Sequence, residues 1–139
     1  MSDPITGACL CGAVRFEVSE PFASAHYCHC TRCQRRSGTA FSASAGAVPG
    51  SFRIVDGEEL VRAFRPEDGW AKFFCGECGG HLYSQSHEDP GQIGVRLGAI
   101  DGDPGVRPSS HQYVAYAAPW HPLPDDGLPR HAERMPAHG

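Results

Sequence analysis

Cys9-Leu10-Cys11-Gly12-Ala13-Val14-Arg15-Phe16-Glu17-Val18-Ser19 carries two signals at once. Val14, Phe16 and Val18 alternate with Arg15, Glu17 and Ser19, so residues 13–19 have the period-two pattern of a strand with one buried face. Just before it, Cys9 and Cys11 sit at alternate positions, where extended side chains point the same way, and Gly12 permits a turn. The reading is a hairpin whose bend presents two thiols to a common point.

Working outward, further runs rich in β-branched or aromatic residues occupy 41–48, 52–55, 59–64, 70–74, 81–84, 93–97 and 111–116, nearly all punctuated by glycine or proline. A helical turn is expected only across 31–36, ending at Ser37-Gly38, where glycine accepts a left-handed cap. The chain therefore reads as mainly β, with at most short helical turns. Its 139 residues suit one domain, and residues about 122–139, which are rich in proline, are expected to form an ordered loop that frays into a tail.

Composition narrows the function. The formal net charge is −4, with Lys72 as the single lysine, so there is no broad cationic surface for nucleic acid. No stretch approaches the roughly 20 apolar residues of a membrane span, and Met1-Ser2-Asp3-Pro4 lacks the features of a secretory signal. A cytoplasmic protein is expected. In a reducing compartment, seven cysteines read as metal ligands or reactive thiols rather than as disulfides.

Those cysteines divide into four and three. Cys75-Gly76-Glu77-Cys78-Gly79-Gly80 is a zinc-knuckle pattern that needs two more ligands, and Cys9 and Cys11 can supply them. Such a metal would join segments more than sixty residues apart and be structural. Burial of these thiols as small apolar side chains is the plainer alternative. Glu77, inside the knuckle, should face solvent.

Cys28-His29-Cys30-Thr31-Arg32-Cys33 places three thiols within six residues. A loop this compact can surround three faces of an ion and leave the fourth for an incoming ligand, as catalytic zinc sites do. Two alternatives stay open: His29 or His26 closing the shell, or a metal-free redox centre. His29, between two ligands, is otherwise either a proton-handling group or a solvated surface histidine. Arg32, Arg35 and Arg36 crowd the same loop and could orient an anionic thiol, or could simply offset thiolate charge. His111 is read as a hydrogen-bonded structural residue, Trp120 as either a core residue or a wall of the substrate cleft, and Asp101-Gly102-Asp103 as a turn rather than a calcium loop.

In this order the segments 7–16, 28–38 and 74–79, followed by Leu97-Gly98-Ala99-Ile100-Asp101 and Pro119-Trp120, resemble the glutathione-dependent formaldehyde-activating enzyme family, the CENP-V/GFA domain. The resemblance implies the β-tent fold of stacked antiparallel sheets, a structural zinc on Cys9, Cys11, Cys75 and Cys78, and a labile catalytic zinc on Cys28, Cys30 and Cys33. It implies a carbon–sulfur lyase that joins glutathione, or another small thiol, to an aldehyde such as formaldehyde, with Arg32, Arg35, Arg36 and Trp120 as candidate substrate contacts. A non-catalytic, zinc-stabilised binding module is the alternative. The short interval between Gly50 and Trp70 leaves little room for an insertion there, so the identity of the thiol is not carried over.

Overall fold

The structure is a computed structural model and describes residues 3–134. Ten strands form two sheets. β1 (Ile5–Ala8), β2 (Arg15–Val18) and β5 (Phe52–Asp56) make a three-stranded antiparallel sheet in the order β1-β2-β5. The second sheet also contains β3 (Ser24–Cys28), β4 (Ser42–Ala47), β6 (Val61–Phe64), β7 (Ala71–Cys75), β8 (His81–Gln85), β9 (Ile93–Arg96) and β10 (His111–Gln112), in the order β10-β3-β4-β9-β8-β7-β6. Its pairs are antiparallel except for β10, which runs parallel to β3. The mainly β, two-sheet expectation therefore holds, with one parallel edge pair added.

The alternation in β2 works as read: Phe16 and Val18 are buried, Arg15 is exposed and Glu17 half-buried. Phe16 packs on Phe52 at 5.2 Å between ring centroids, and Phe52 packs on Tyr83 at 4.6 Å. Tyr83 stacks on Phe73 at 4.4 Å, so an aromatic column links the small sheet to the large one. Val14, Val18, Leu82 and Val95 complete a core with almost no solvent access. Burying side chains of this size contributes roughly 1.5–3 kcal/mol each, which makes the interface between the sheets the main source of stability.

Among the described residues the one α-helix, α1 (Thr31–Ser37), starts on Cys30, whose Sγ accepts the Cys33 amide, and ends on Gly38 at φ 74°. Three 3-10 turns cover Glu58–Leu60, Leu97–Ala99 and Val114–Tyr116. The runs 59–64 and 93–97 thus continue from strand into such turns at one end. The run 111–116 is strand for only two residues: Tyr113 adopts φ 58°, a left-handed conformation that ends pairing, and a 3-10 turn follows.

The proline-rich segment is ordered to the end of the described residues. Arg130 forms a parallel bridge with His111, the His111 amide donates to the Pro129 carbonyl at 2.9 Å, and the His131 amide donates back to the His111 carbonyl at 2.8 Å. Residues 129–131 therefore run beside β10; the expected tail at 135–139 lies outside the described residues. Asp101 accepts from Thr6 and Arg15, and Asp103 pairs with Arg107, so both acids of the 101–103 turn serve local structure.

Candidate metal centres and a neighbouring cavity

Cys9 and Cys11 lie in the bend between β1 and β2, Cys75 ends β7, and Cys78 occupies the turn into β8. Their four sulfurs all lie within 4.8 Å of one another. The Cys9–Cys11 and Cys11–Cys75 separations are 3.7 and 4.0 Å. A tetrahedron with zinc–sulfur bonds of 2.3 Å has edges of about 3.8 Å, so the set fits zinc. Backbone amides point at the sulfurs: Val14 to Cys9 at 3.3 Å, Glu77 to Cys75 at 3.4 Å, and both Cys11 and Gly80 to Cys78 at 3.4 Å. The Cys11 and Gly80 amides pull the Cys78 thiol down to about 6, so these donors favour the thiolate that binds metal.

The knuckle turn depends on the two glycines after Cys78. Gly79 takes φ 76°, and at Gly80 a Cβ would lie 2.8 Å from the Leu10 amide nitrogen and 3.3 Å from the Cys78 sulfur. Glu77 is exposed, as read.

Cys28 at the end of β3, Cys30 at the helix cap and Cys33 in the first turn of α1 form a second group, again with every sulfur within 4.8 Å of the others. Among the described residues no histidine nitrogen or carboxylate oxygen joins this set, so His26 and His29 do not complete it. Three sulfurs with one position left over fit an open zinc site. Hydrogen bonds from Cys28 and Cys30 hold Cys33 well below the usual thiol range, assisted by the Ser42 hydroxyl and the Arg96 charge, while the same sharing drives Cys28 up.

His29 is not a solvated residue. It is buried, and its Nε2 lies 2.9 Å from His111 Nδ1; His111, also buried, places Nε2 2.8 Å from Asp126 Oδ2. The hydrogen bond to His111 holds the Asp126 carboxyl below its usual range, so the carboxylate is an acceptor. In a neutral His111 ring, Nε2 then carries the proton, Nδ1 accepts, and His29 Nε2 is the donor. The arrangement fixes the loop between Cys28 and Cys30 through a segment about a hundred residues later in the chain.

The arginines of the loop part company. Arg32 pairs with Asp68 at 2.8 Å on the surface, and Arg35 is exposed. Arg36 turns inward, donating to Ser84 Oγ at 2.9 Å and to the Phe73 and Tyr83 carbonyls at 3.0 and 3.3 Å, which ties α1 to β7 and β8. Trp120 is 67% exposed, which rules out the core reading and leaves its ring beside His121, with centroids 6.0 Å apart.

A cavity of about 440 Å³ lies beside the closed centre, with Cys9 the one of the seven cysteines in its wall. Cys9, Leu10 and Gly80 of the closed centre contribute to its wall, and so do Ser37, Phe41 and Ser42, which follow α1. His81 and Arg96 line it as well. These two were not singled out in the sequence; the available signal was an arginine inside the otherwise uncharged run Ile93-Gly94-Val95-Arg96-Leu97-Gly98-Ala99-Ile100.

Fold and sites together define a mainly β protein with one closed and one open cysteine centre, both suited to zinc. A family model described as the glutathione-dependent formaldehyde-activating enzyme matches residues 4–116, and the chain belongs to that family. A Halomonas elongata protein provisionally named for the same activity is 29% identical over 105 residues, covering 71% of this chain and 67% of that protein. A Sordaria macrospora protein with the same provisional name is 29% identical over 89 residues; the match takes in 59% of this chain but only 37% of that longer protein. A crystal structure of a Rhodobacter sphaeroides protein superposes with a TM-score of 0.58 at 31% identity, covering 70% of this chain and 89% of that one.

Proposed function

We propose that the chain is a zinc-dependent carbon–sulfur lyase acting on the adduct of a small thiol, glutathione or another, with an aldehyde such as formaldehyde. The observation that carries this reading is the three-thiol group at Cys28, Cys30 and Cys33, incomplete as a shell, with Cys33 hydrogen-bonded to Ser42, which lines a cavity large enough for a small substrate. Zinc held there would supply acidification of a thiol sulfur at its remaining position. In the forward direction a sulfur–carbon bond forms, the carbonyl π bond breaks, and the thiol proton ends on the new hydroxyl oxygen.

The chain's own groups account for the rest. Ser42, hydrogen-bonded to Cys33, and the amide of Cys33, donating to Cys30 at 3.3 Å, stabilise the ligands as thiolates. His29, buried within the ligand loop and backed by His111 and Asp126, is the candidate to hold the proton in transit. Arg32, Arg35 and Trp120 remain exposed around the loop as candidate contacts for the outer parts of a substrate, and Arg36 acts by positioning α1. A cytoplasmic setting, where thiols are kept reduced, belongs to the same reading; no helix among the described residues is long and apolar enough to cross a membrane.

The test is two-dimensional exchange spectroscopy with ¹³C-formaldehyde and a panel of thiols, on protein reconstituted with zinc. Acceleration of adduct exchange by the wild type and its loss in Cys30→Ser support the reading. Equal zinc content and equal exchange in the two proteins remove it in favour of a binding module.

A further inference from the structure

Lys72 is the single lysine of the chain, and the sheet places it with care. In β7 it pairs directly with Ser84 of β8, so the two side chains share one face of the large sheet. Ser84 pairs in turn with Gly94 of β9, and Arg96, two positions on, lies on that same face. Helix α1 covers this face: Arg36 donates to Ser84 Oγ at 2.9 Å, and Cys33, three positions earlier, is on the same side of the helix. Lys72 is thereby brought toward the three-thiol centre, and its amine interacts electrostatically with Cys33 and Cys30. It is half-buried, yet among the described residues no carboxylate pairs with it, and the cations acting on it are Arg36 and Arg96. Burial, reinforced by those two guanidinium groups and opposed by the Cys33 and Cys30 thiolates, holds the Lys72 ammonium below its usual range.

We propose that Lys72 is a carbonyl-capture site, whose amine takes up a small aldehyde as an imine and holds it near the three-thiol centre. A lysine becomes a nucleophile near neutral pH when it is desolvated or set next to another cation, and Lys72 meets both conditions. The amine nitrogen adds to the carbonyl carbon and a carbon–nitrogen bond forms. The carbonyl oxygen then leaves as water with both amine protons, which gives a neutral imine and consumes no oxidant or reductant. Water reverses the step and frees the aldehyde beside α1. That the aldehyde is one to be joined to a thiol rests on the lyase reading; the capture itself does not.

The experiment treats zinc-loaded wild type with ¹³C-formaldehyde and cyanoborohydride, which reduces an imine to a methylamine that stays on the nitrogen. Because the chain has one lysine, peptide mass spectrometry separates the Lys72 label from that of the α-amino group. N-α-acetyl-lysine amide in the same tube is the reference. At about pH 7 Lys72 should be labelled several-fold faster than the reference, and the ratio should shrink by about pH 10, where the reference amine also begins to lose its proton. Labelling at or below the reference rate at neutral pH overturns the capture site, because a solvated lysine or one merely shielded by α1 gives that result. A ratio above unity that does not change with pH also overturns it, since a free amine is then not its source. Fast labelling of Lys72 without any acceleration of thiol-adduct exchange refutes the lyase reading and leaves the capture site standing. Accelerated exchange with slow labelling does the reverse.

Discussion

Gly80→Ala changes none of the seven thiols and adds a single methyl group, yet it should loosen the closed metal centre. The new Cβ would lie 2.8 Å from the Leu10 amide nitrogen, 3.3 Å from Cys78 Sγ and 3.4 Å from Cys9 Cβ. Leu10 sits between two ligands and is held by backbone, so the bend from Cys9 to Cys11 must move away from the knuckle by several tenths of an ångström. A movement of that size lengthens sulfur separations that now stand at 3.7 and 4.0 Å, against the roughly 3.8 Å that zinc requires. Overpacking of this kind costs about 1–3 kcal/mol. For a chain of this length that corresponds to a fall in Tm of roughly 3–10 °C. The assays are thermal unfolding of the zinc-loaded protein and the rate of zinc transfer to a colorimetric chelator, and both should report the change. Wild-type Tm together with wild-type transfer kinetics would show that the two segments are not held together by a shared ion.

Chelation of the wild type should remove zinc in two steps, with the three-cysteine site emptying first because it offers one ligand fewer; native mass spectrometry counts the ions, and loss of both together contradicts the partition. Arg36→Met removes the ties from α1 to Ser84, Phe73 and Tyr83 and should lower stability by about 2–3 kcal/mol in urea unfolding, with the closed centre still loaded. Asp126→Asn tests the buried histidine chain by pH. Asp126 has a folded pKa below its unfolded value of about 3.9, so its contribution is present above that pH and lost as pH falls through the lowered value. The stability gap between wild type and variant should therefore be full near neutrality and close in acid, and a gap independent of pH would refute the charge-assisted bond. His81, like His26 and His29, should make the wild type less stable as pH falls below about 6.5, because burial lowers its pKa and the unfolded chain takes up the proton first; His81→Gln should flatten the wild-type slope in part, and a slope unchanged by the substitution would refute its share.

The metal groups were legible because thiol spacing encodes geometry locally: two residues between Cys75 and Cys78, one between Cys9 and Cys11, and three thiols in six positions. The same holds for β2, whose buried face is written in its alternation. β1 and β3 were not read as strands: Ile5-Thr6-Gly7-Ala8 lacks an apolar alternation, and in Ser24-Ala25-His26-Tyr27-Cys28 it rests on Ala25 and Tyr27 alone, so both owe their state to neighbours in the sheet. His29 looked like a surface residue because what buries it, His111 and the return segment bearing Asp126, lies 82 or more positions away. Arg96 was missed for a related reason: a charged residue in a strand ordinarily faces water, and only the assembled sheets show it facing a cavity.

The linkage of Cys11 to Cys78 spans 67 positions. At translation rates of about 5–20 residues per second, the first two thiols leave the ribosome several seconds before their partners exist. Cys28, Cys30 and Cys33 emerge as a complete local set in that interval, so the compact loop can capture an ion while the knuckle is still unmade. If both groups hold zinc, the loop is loaded before the four-cysteine centre can be completed, and Cys9 and Cys11 stay open to oxidation until β7 arrives to shield them.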